Sequence, residues 1–80
     1  MYLEIITPDK KVYEGEVDLA RFPGSDGSFA VLKNHAPIIS TLQQGEIKIV
    51  TSNREEIFFQ VNGGVVEVKD NHIIVLAESV

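Results

Sequence analysis

VVEVKDNHIIVLAE, residues 65–78, sets Asp70-Asn71 between two short runs of alternating apolar residues, a pattern that specifies a β-hairpin. A pair of this type between β-prone runs makes a tight hairpin loop, because Asp and Asn tolerate the left-handed backbone that a two-residue turn demands. The turn pairs Lys69 with His72, and the register follows by counting outward. Side chains alternate with a period of two, so Val66, Val68, Ile73 and Val75 share one face, while Val65, Glu67, Lys69, His72, Ile74 and Leu76 share the other. The first face is expected to be core. The second is polar beside the turn and apolar away from it, which suits cover by the chain's own strands or by a partner.

Working outward from this hairpin, turn signals recur at Pro8-Asp9, Pro23-Gly24 with Gly27, Gln44-Gly45, Ser52-Asn53 and Asn62-Gly63-Gly64. Between them stand runs rich in Val, Ile and Phe: LEIIT, VDLARF, SFAVL, EIKIV and EIFFQV. None is long enough for a helix, and the rhythm predicts an all-β sandwich or barrel. NHAPIISTL alone has a weak helical look, but Pro37 pushes Ala36 toward extended geometry, so a loop followed by a strand is expected there. No linker, repeat or second domain interrupts residues 1–80, which are read as a single domain.

Twelve acids against seven bases give a net charge of −5, which opposes binding to nucleic acid or to anionic lipid headgroups. The start MYLEIITPDK lacks a basic n-region and an apolar h-region, and no apolar run approaches a membrane span, so a soluble, cytoplasmic chain without direct lipid insertion is expected. The absence of cysteine agrees with that compartment.

Catalytic chemistry is not visible. Ser25 and Ser28 sit among turn residues with no nucleophile elbow around them. His35 and His72 are far apart in sequence and have no cysteines to complete a metal site, so no metal is expected. PGSDG lacks the pattern of a phosphate-binding loop and reads as a tight turn. Carboxylates are plentiful, but without a pocket they do not make an acid–base pair. No cofactor is expected. One other non-enzymatic reading is a free-standing binding module or a lipoyl- or biotinyl-type carrier, for which Lys48 in GEIKIVT is the candidate lysine. Lys48 alternates with Ile47 and Ile49, however, and as a strand residue it points sideways rather than out from a turn.

Several pieces of the chain occur together in one known family. They are ITP at 6–8 with Tyr13-Glu14-Gly15, PGSDGSFAVLKNHAP at 23–37, Leu42 with Gly45, VNGGVVEV at 61–68 and VLAES at 75–79. In these the chain resembles the N-terminal β-sandwich domain of the epsilon subunit of F-type ATP synthases, called delta in mitochondria. Two residues depart from the family pattern: Ala30 stands where glycine is usual, and Lys33 where proline is frequent.

The resemblance implies a small flattened sandwich of two antiparallel sheets, and a non-catalytic rotor subunit of a hetero-oligomer. It would join the gamma subunit to the c-ring, couple proton-driven rotation to ATP synthesis, and lie peripherally at the cytoplasmic face of the inner (plasma) membrane. Carried over by position, Ser28 would face the ring loops, and His35, Ser40 and Gly45 would lie along the gamma-facing side. Ile38, Ile39 and Leu42 alternate around them and are expected to supply either core or interface area. His35 is accordingly expected to be an interface and loop residue, with a purely internal hydrogen-bonding role as the alternative. Many members continue into a C-terminal helical hairpin that inhibits hydrolysis and in some binds ATP. No helical periodicity occurs up to Val80, so that hairpin is expected to be absent here, and with it ATP binding and self-inhibition.

Overall fold

A computed structural model describes residues 1–80. Six strands follow in order: β1 (Tyr2–Ile6), β2 (Lys11–Phe22), β3 (Phe29–Leu32), β4 (Ile38–Thr51), β5 (Glu56–Lys69) and β6 (His72–Ala77). They hydrogen-bond in the order β1-β6-β5-β4-β2-β3, and β1 also pairs with β2, so the ladder closes into a barrel-like sheet. Closure leaves β1 with no free edge, since both its sides are paired.

The hairpin behaves as its sequence dictates. Asp70 and Asn71 take φ of 52° and 64°, both left-handed as a type I′ turn requires, and Lys69 pairs with His72. Val66, Val68, Ile73 and Val75 are 0–2% exposed. They join Leu3, Ile5, Val17, Ala20, Phe22, Val31, Leu42, Ile47, Ile49, Val61 and Ala77 in one core cluster. The rings of Phe22 and Phe29 meet at 5.6 Å within it. No buried side-chain nitrogen or oxygen lacks a hydrogen-bond partner.

Three features differ from the expectation. First, β1 and β6 run parallel, Tyr2 opposite His72 through Ile6 opposite Leu76, so the pairing is not antiparallel throughout. A parallel pair joins segments with no turn between them, and it leaves no local trace in the sequence. Second, Gln44-Gly45 and Asn62-Gly63-Gly64 do not end strands. They lie opposite one another inside the β4–β5 ladder, Gln44 with Asn62 and Leu42 with Gly64. Gly63 and Gly64, at φ of 120° and 148°, bend the strand instead of reversing it. Third, β2 begins at Lys11, six residues before the apolar run that announces it, because Lys11–Glu16 pairs with β1 through a half-polar face.

The NHAP segment is loop and β4 starts at Ile38, as Pro37 implies. Ala30 lies within β3 opposite Arg21 and keeps an ordinary negative φ, so alanine is accommodated where the resembled family favours glycine.

Candidate functional site

The outer face of β4, β5, β6 and β1 carries the surface that stands out chemically. The registers place Thr41, Val65, Leu76 and Ile6 in one row across the four strands. Ile39, Glu67, Ile74 and Glu4 make the next row. Ile39 is 72% exposed, Leu76 55% and Val65 37%, although each lies in a regular strand whose other face is sealed core. Ile39, Val65, Glu67, Ile74 and Leu76 line a shallow groove of about 180 Å³. It continues on one side toward Pro37 and Ile38, and on the other past Leu76 to Ile6, Thr7 and Pro8. The open half of the hairpin's second face is therefore uncovered by the chain's own strands. Contiguous exposed apolar area of this kind marks an interaction surface.

Beside the groove, β1, β2 and β6 bring five polar side chains into one network. Glu4 accepts from Lys11 Nζ at 3.0 Å and lies 2.9 Å from His72 Nε2. Lys11 also reaches Glu14 at 3.4 Å, and the Tyr2 hydroxyl donates to Glu14. The rings of Tyr2 and His72 meet edge to face at 5.4 Å. Lys11 and then His72 hold the Glu4 carboxyl below the usual carboxylate range, and Tyr2 and then Lys11 do the same for Glu14. The bond that the Tyr2 hydroxyl donates to Glu14 raises Tyr2, and the bond that Lys11 donates to Glu4 raises Lys11.

The sign of the acid effect follows from proton counting. Between the lowered folded values and the ordinary unfolded ones, the unfolded chain binds more protons. The contribution of Glu4 and Glu14 is therefore full above the ordinary carboxylate range and is lost as pH falls through their lowered values. Lys11 and Tyr2 act oppositely: their contribution is present below their ordinary values and is lost as pH rises through the raised ones. Glu4→Gln is expected to show a shallower loss of stability between pH 5 and 3 than the unaltered chain, read by urea unfolding across that range. Identical slopes would show that the network does not stabilise the fold.

The residues singled out from sequence do not form one patch. Ser28 is exposed just before β3, and His35 lies in the loop just after it, so the two mark opposite ends of that strand. Ile39 points outward into the groove. Ile38 is half-buried against the core, and Ser40 is half-buried with its hydroxyl donating to the Thr41 carbonyl at 3.0 Å. Leu42, at 5% exposed, belongs to the core, and the Cβ position of Gly45 lies 2.7 Å from Pro23, so neither offers side-chain area to a partner. His35 donates its backbone N–H to Leu32 at 3.1 Å and sets Nδ1 2.7 Å from the Ala36 carbonyl. Val65 and Leu76 were legible only as members of a face, through the hairpin register. The Tyr2–His72 network left no sequence signal, because it depends on the parallel β1–β6 pair.

Two other chemistries find no support in this geometry. Groups of three or more His, Cys, Asp or Glu placed to hold a metal ion do not occur. Lys48, the candidate carrier lysine, lies inside β4 between Phe58 and Arg21, with Glu56 3.5 Å from its Nζ. That is a strand position, not a hairpin tip. No helix is long and apolar enough to cross a membrane.

Comparison with known proteins agrees with the fold and the motifs. A family model described as the ATP synthase, Delta/Epsilon chain, beta-sandwich domain matches residues 1–80. The ATP synthase epsilon chain of Chlorobium limicola is 41% identical over 78 residues, which span 98% of this chain and 89% of that protein. The epsilon chain of Leptospira interrogans serogroup Icterohaemorrhagiae serovar copenhageni is 42% identical over 76 residues, spanning 95% of this chain and 59% of the relative. Among solved structures, a chain of the Euglena gracilis mitochondrial ATP synthase (OSCP/F1/c-ring) superposes with a TM-score of 0.90 at 18% identity. A chain of the Tetrahymena thermophila central stalk/c-ring superposes at 0.82 and 20% identity. Each match covers 96% of this chain, but only 49% and 62% of those two chains.

Proposed function

We propose a central-stalk role, on the premise that the chain belongs to the ATP synthase delta/epsilon family through its β-sandwich domain. Residues 1–80 act as one non-catalytic domain that joins the gamma subunit to the c-ring and passes rotation between them, at the cytoplasmic face of the membrane. In a two-layer reading of the barrel, β4 and β5 bend near Gln44 and Asn62, so that each strand contributes to both layers. A small close-packed domain suits torque transfer, because such interiors deform little.

The observation that carries the proposal is the uncovered apolar groove of Ile39, Val65, Ile74 and Leu76. Gamma is assigned to this groove and to the adjoining His35 loop, and the ring loops to the tip at Ser28. The net charge of −5 favours reaching the membrane through protein rather than through anionic lipid.

Titrating the purified chain with the gamma subunit of its own complex, by calorimetry, tests the assignment. Saturable one-to-one binding with a negative heat-capacity change is expected, the mark of buried apolar surface. No binding at tens of micromolar would overturn it.

A further inference from the structure

We propose that Asn71 is a positioning residue for docking, one that pre-shapes the His35 loop from the adjoining β5–β6 turn. The inference rests on the groove and loop being the gamma-facing surface, and it adds a residue to that surface that makes no contact of its own with the partner.

The loop between β3 and β4, residues 33–37, is sparsely tied. Its own backbone supplies one hydrogen bond, His35 N–H to the Leu32 carbonyl, and Pro37 has no N–H to give. The bond from the His35 ring to Ala36 is internal to the loop. The one hydrogen bond that fastens the loop to a distant segment runs from Asn34 N–H to Asn71 Oδ1, at 2.9 Å across 37 residues of sequence. Asn34 itself sits at φ 65°, a left-handed conformation that asparagine adopts more readily than other non-glycine residues, which turns its N–H toward Asn71.

Asn71 is well placed to be the anchor. Its backbone is fixed by the type I′ turn at φ 64°, and its carbonyl accepts from Tyr2 N–H at 3.0 Å, which ties it to β1. Asn71 thus joins β1 through its backbone carbonyl and the His35 loop through its side chain. A loop already held in its bound shape loses less entropy on association, so the anchor acts on affinity without touching the partner.

The two roles of Asn71 separate cleanly by substitution. Glycine adopts the same positive φ without strain and suits this turn position, so Asn71→Gly keeps the turn and the backbone carbonyl while removing the side chain that carries Oδ1. Asn71→Asp restores an acceptor at the same place. Melting temperature, amide exchange at Asn34 and affinity for purified gamma are measured for the unaltered chain and both variants.

Asn71→Gly is expected to melt within a few degrees of the unaltered chain. Exchange at Asn34 should quicken about two- to tenfold, and gamma affinity should weaken by a similar factor, as suits the loss of one ordinary hydrogen bond. Asn71→Asp should return both toward their starting values, a rescue that a merely structural role in the turn would not give. Unchanged exchange at Asn34 in Asn71→Gly would overturn the anchoring. Faster exchange with unchanged gamma affinity would overturn the positioning role. If the unaltered chain fails to bind gamma, the docking assignment falls and the positioning role with it, while the exchange measurement still decides whether Asn71 holds the loop.

Discussion

Gly64→Ala is expected to cost the domain about 3 kcal/mol or more, the largest single-site effect on stability that the geometry offers at a glycine. A Cβ on Gly64 would lie 2.3 Å from the Leu76 carbonyl oxygen and 2.9 Å from the Ala77 Cα, both backbone atoms of the paired strand. Backbone in a closed ladder cannot step aside as a flexible side chain can. The φ of 148° adds strain of its own, because L-residues disfavour it. Either β5 and β6 part at the Gly64–Ala77 pair, or Gly64 rotates and the bend that keeps β5 continuous is lost.

Domains of this size hold on the order of 4–12 kcal/mol in all, and each kcal/mol moves the melting temperature by roughly 4–8 °C. A fall of at least about 12 °C is therefore expected in a thermal melt. Two other glycines calibrate the result. Gly27→Ala meets nothing within 4 Å but keeps a φ of 124°, so it carries the backbone term alone. Gly15→Ala meets only the Tyr13 ring, with its hydroxyl at 3.1 Å, which can swing away. The expected order of loss is Gly64, then Gly27, then Gly15. A melt of Gly64→Ala within a few degrees of the unaltered chain would show that the β5–β6 pair is looser than its register.

Ile39→Asp is expected to weaken gamma binding by about thirtyfold or more while costing the isolated domain about 1 kcal/mol or less. Ile39 is 72% exposed, so the free chain loses little packing, and surface substitutions of this kind usually stay within about 0.5 kcal/mol. In a complex the same position lies in the groove with Val65, Ile74 and Leu76. A carboxylate there would be stripped of water in an apolar groove, beside Glu67, which adds like charge. Central apolar contacts of an interface are worth about 2 kcal/mol or more on truncation, and 1.4 kcal/mol is a factor of ten. Calorimetry against purified gamma, paired with a melt of the free variant, reads both halves of the prediction. An affinity within threefold of the unaltered chain would remove the groove from the docking surface.

The all-β class, the β5–β6 hairpin and the family were legible along the chain. The first two rest on short-range physics, namely period-two alternation, Asp70-Asn71 in a turn that needs positive φ, and Pro37 ending the His35 loop, and the family rests on motifs such as VNGGVVEV at 61–68. Alternation also sorted Val66, Val68, Ile73 and Val75 from Val65, Ile74 and Leu76. It could not say which set a partner would cover, because an apolar outward face and a second core face read alike along one strand.

Only the tertiary structure shows that the second set faces outward, since the outer rows of β4, β5 and β6 have no strand above them. It decided three further matters for the same reason. The parallel β1–β6 pair assembles Tyr2, Glu4, Lys11, Glu14 and His72 from segments up to 70 residues apart. Gly45 and Gly64 turned out to lie inside long paired strands, since only a partner backbone shows whether a glycine ends a strand or lets one approach closely. Asn71, legible as a turn residue, gained its tie to Asn34 only when the β3–β4 loop folded back against the hairpin. Local conformational preference is written residue by residue, whereas pairing between remote segments depends on the joint burial of the whole core, which no single stretch contains.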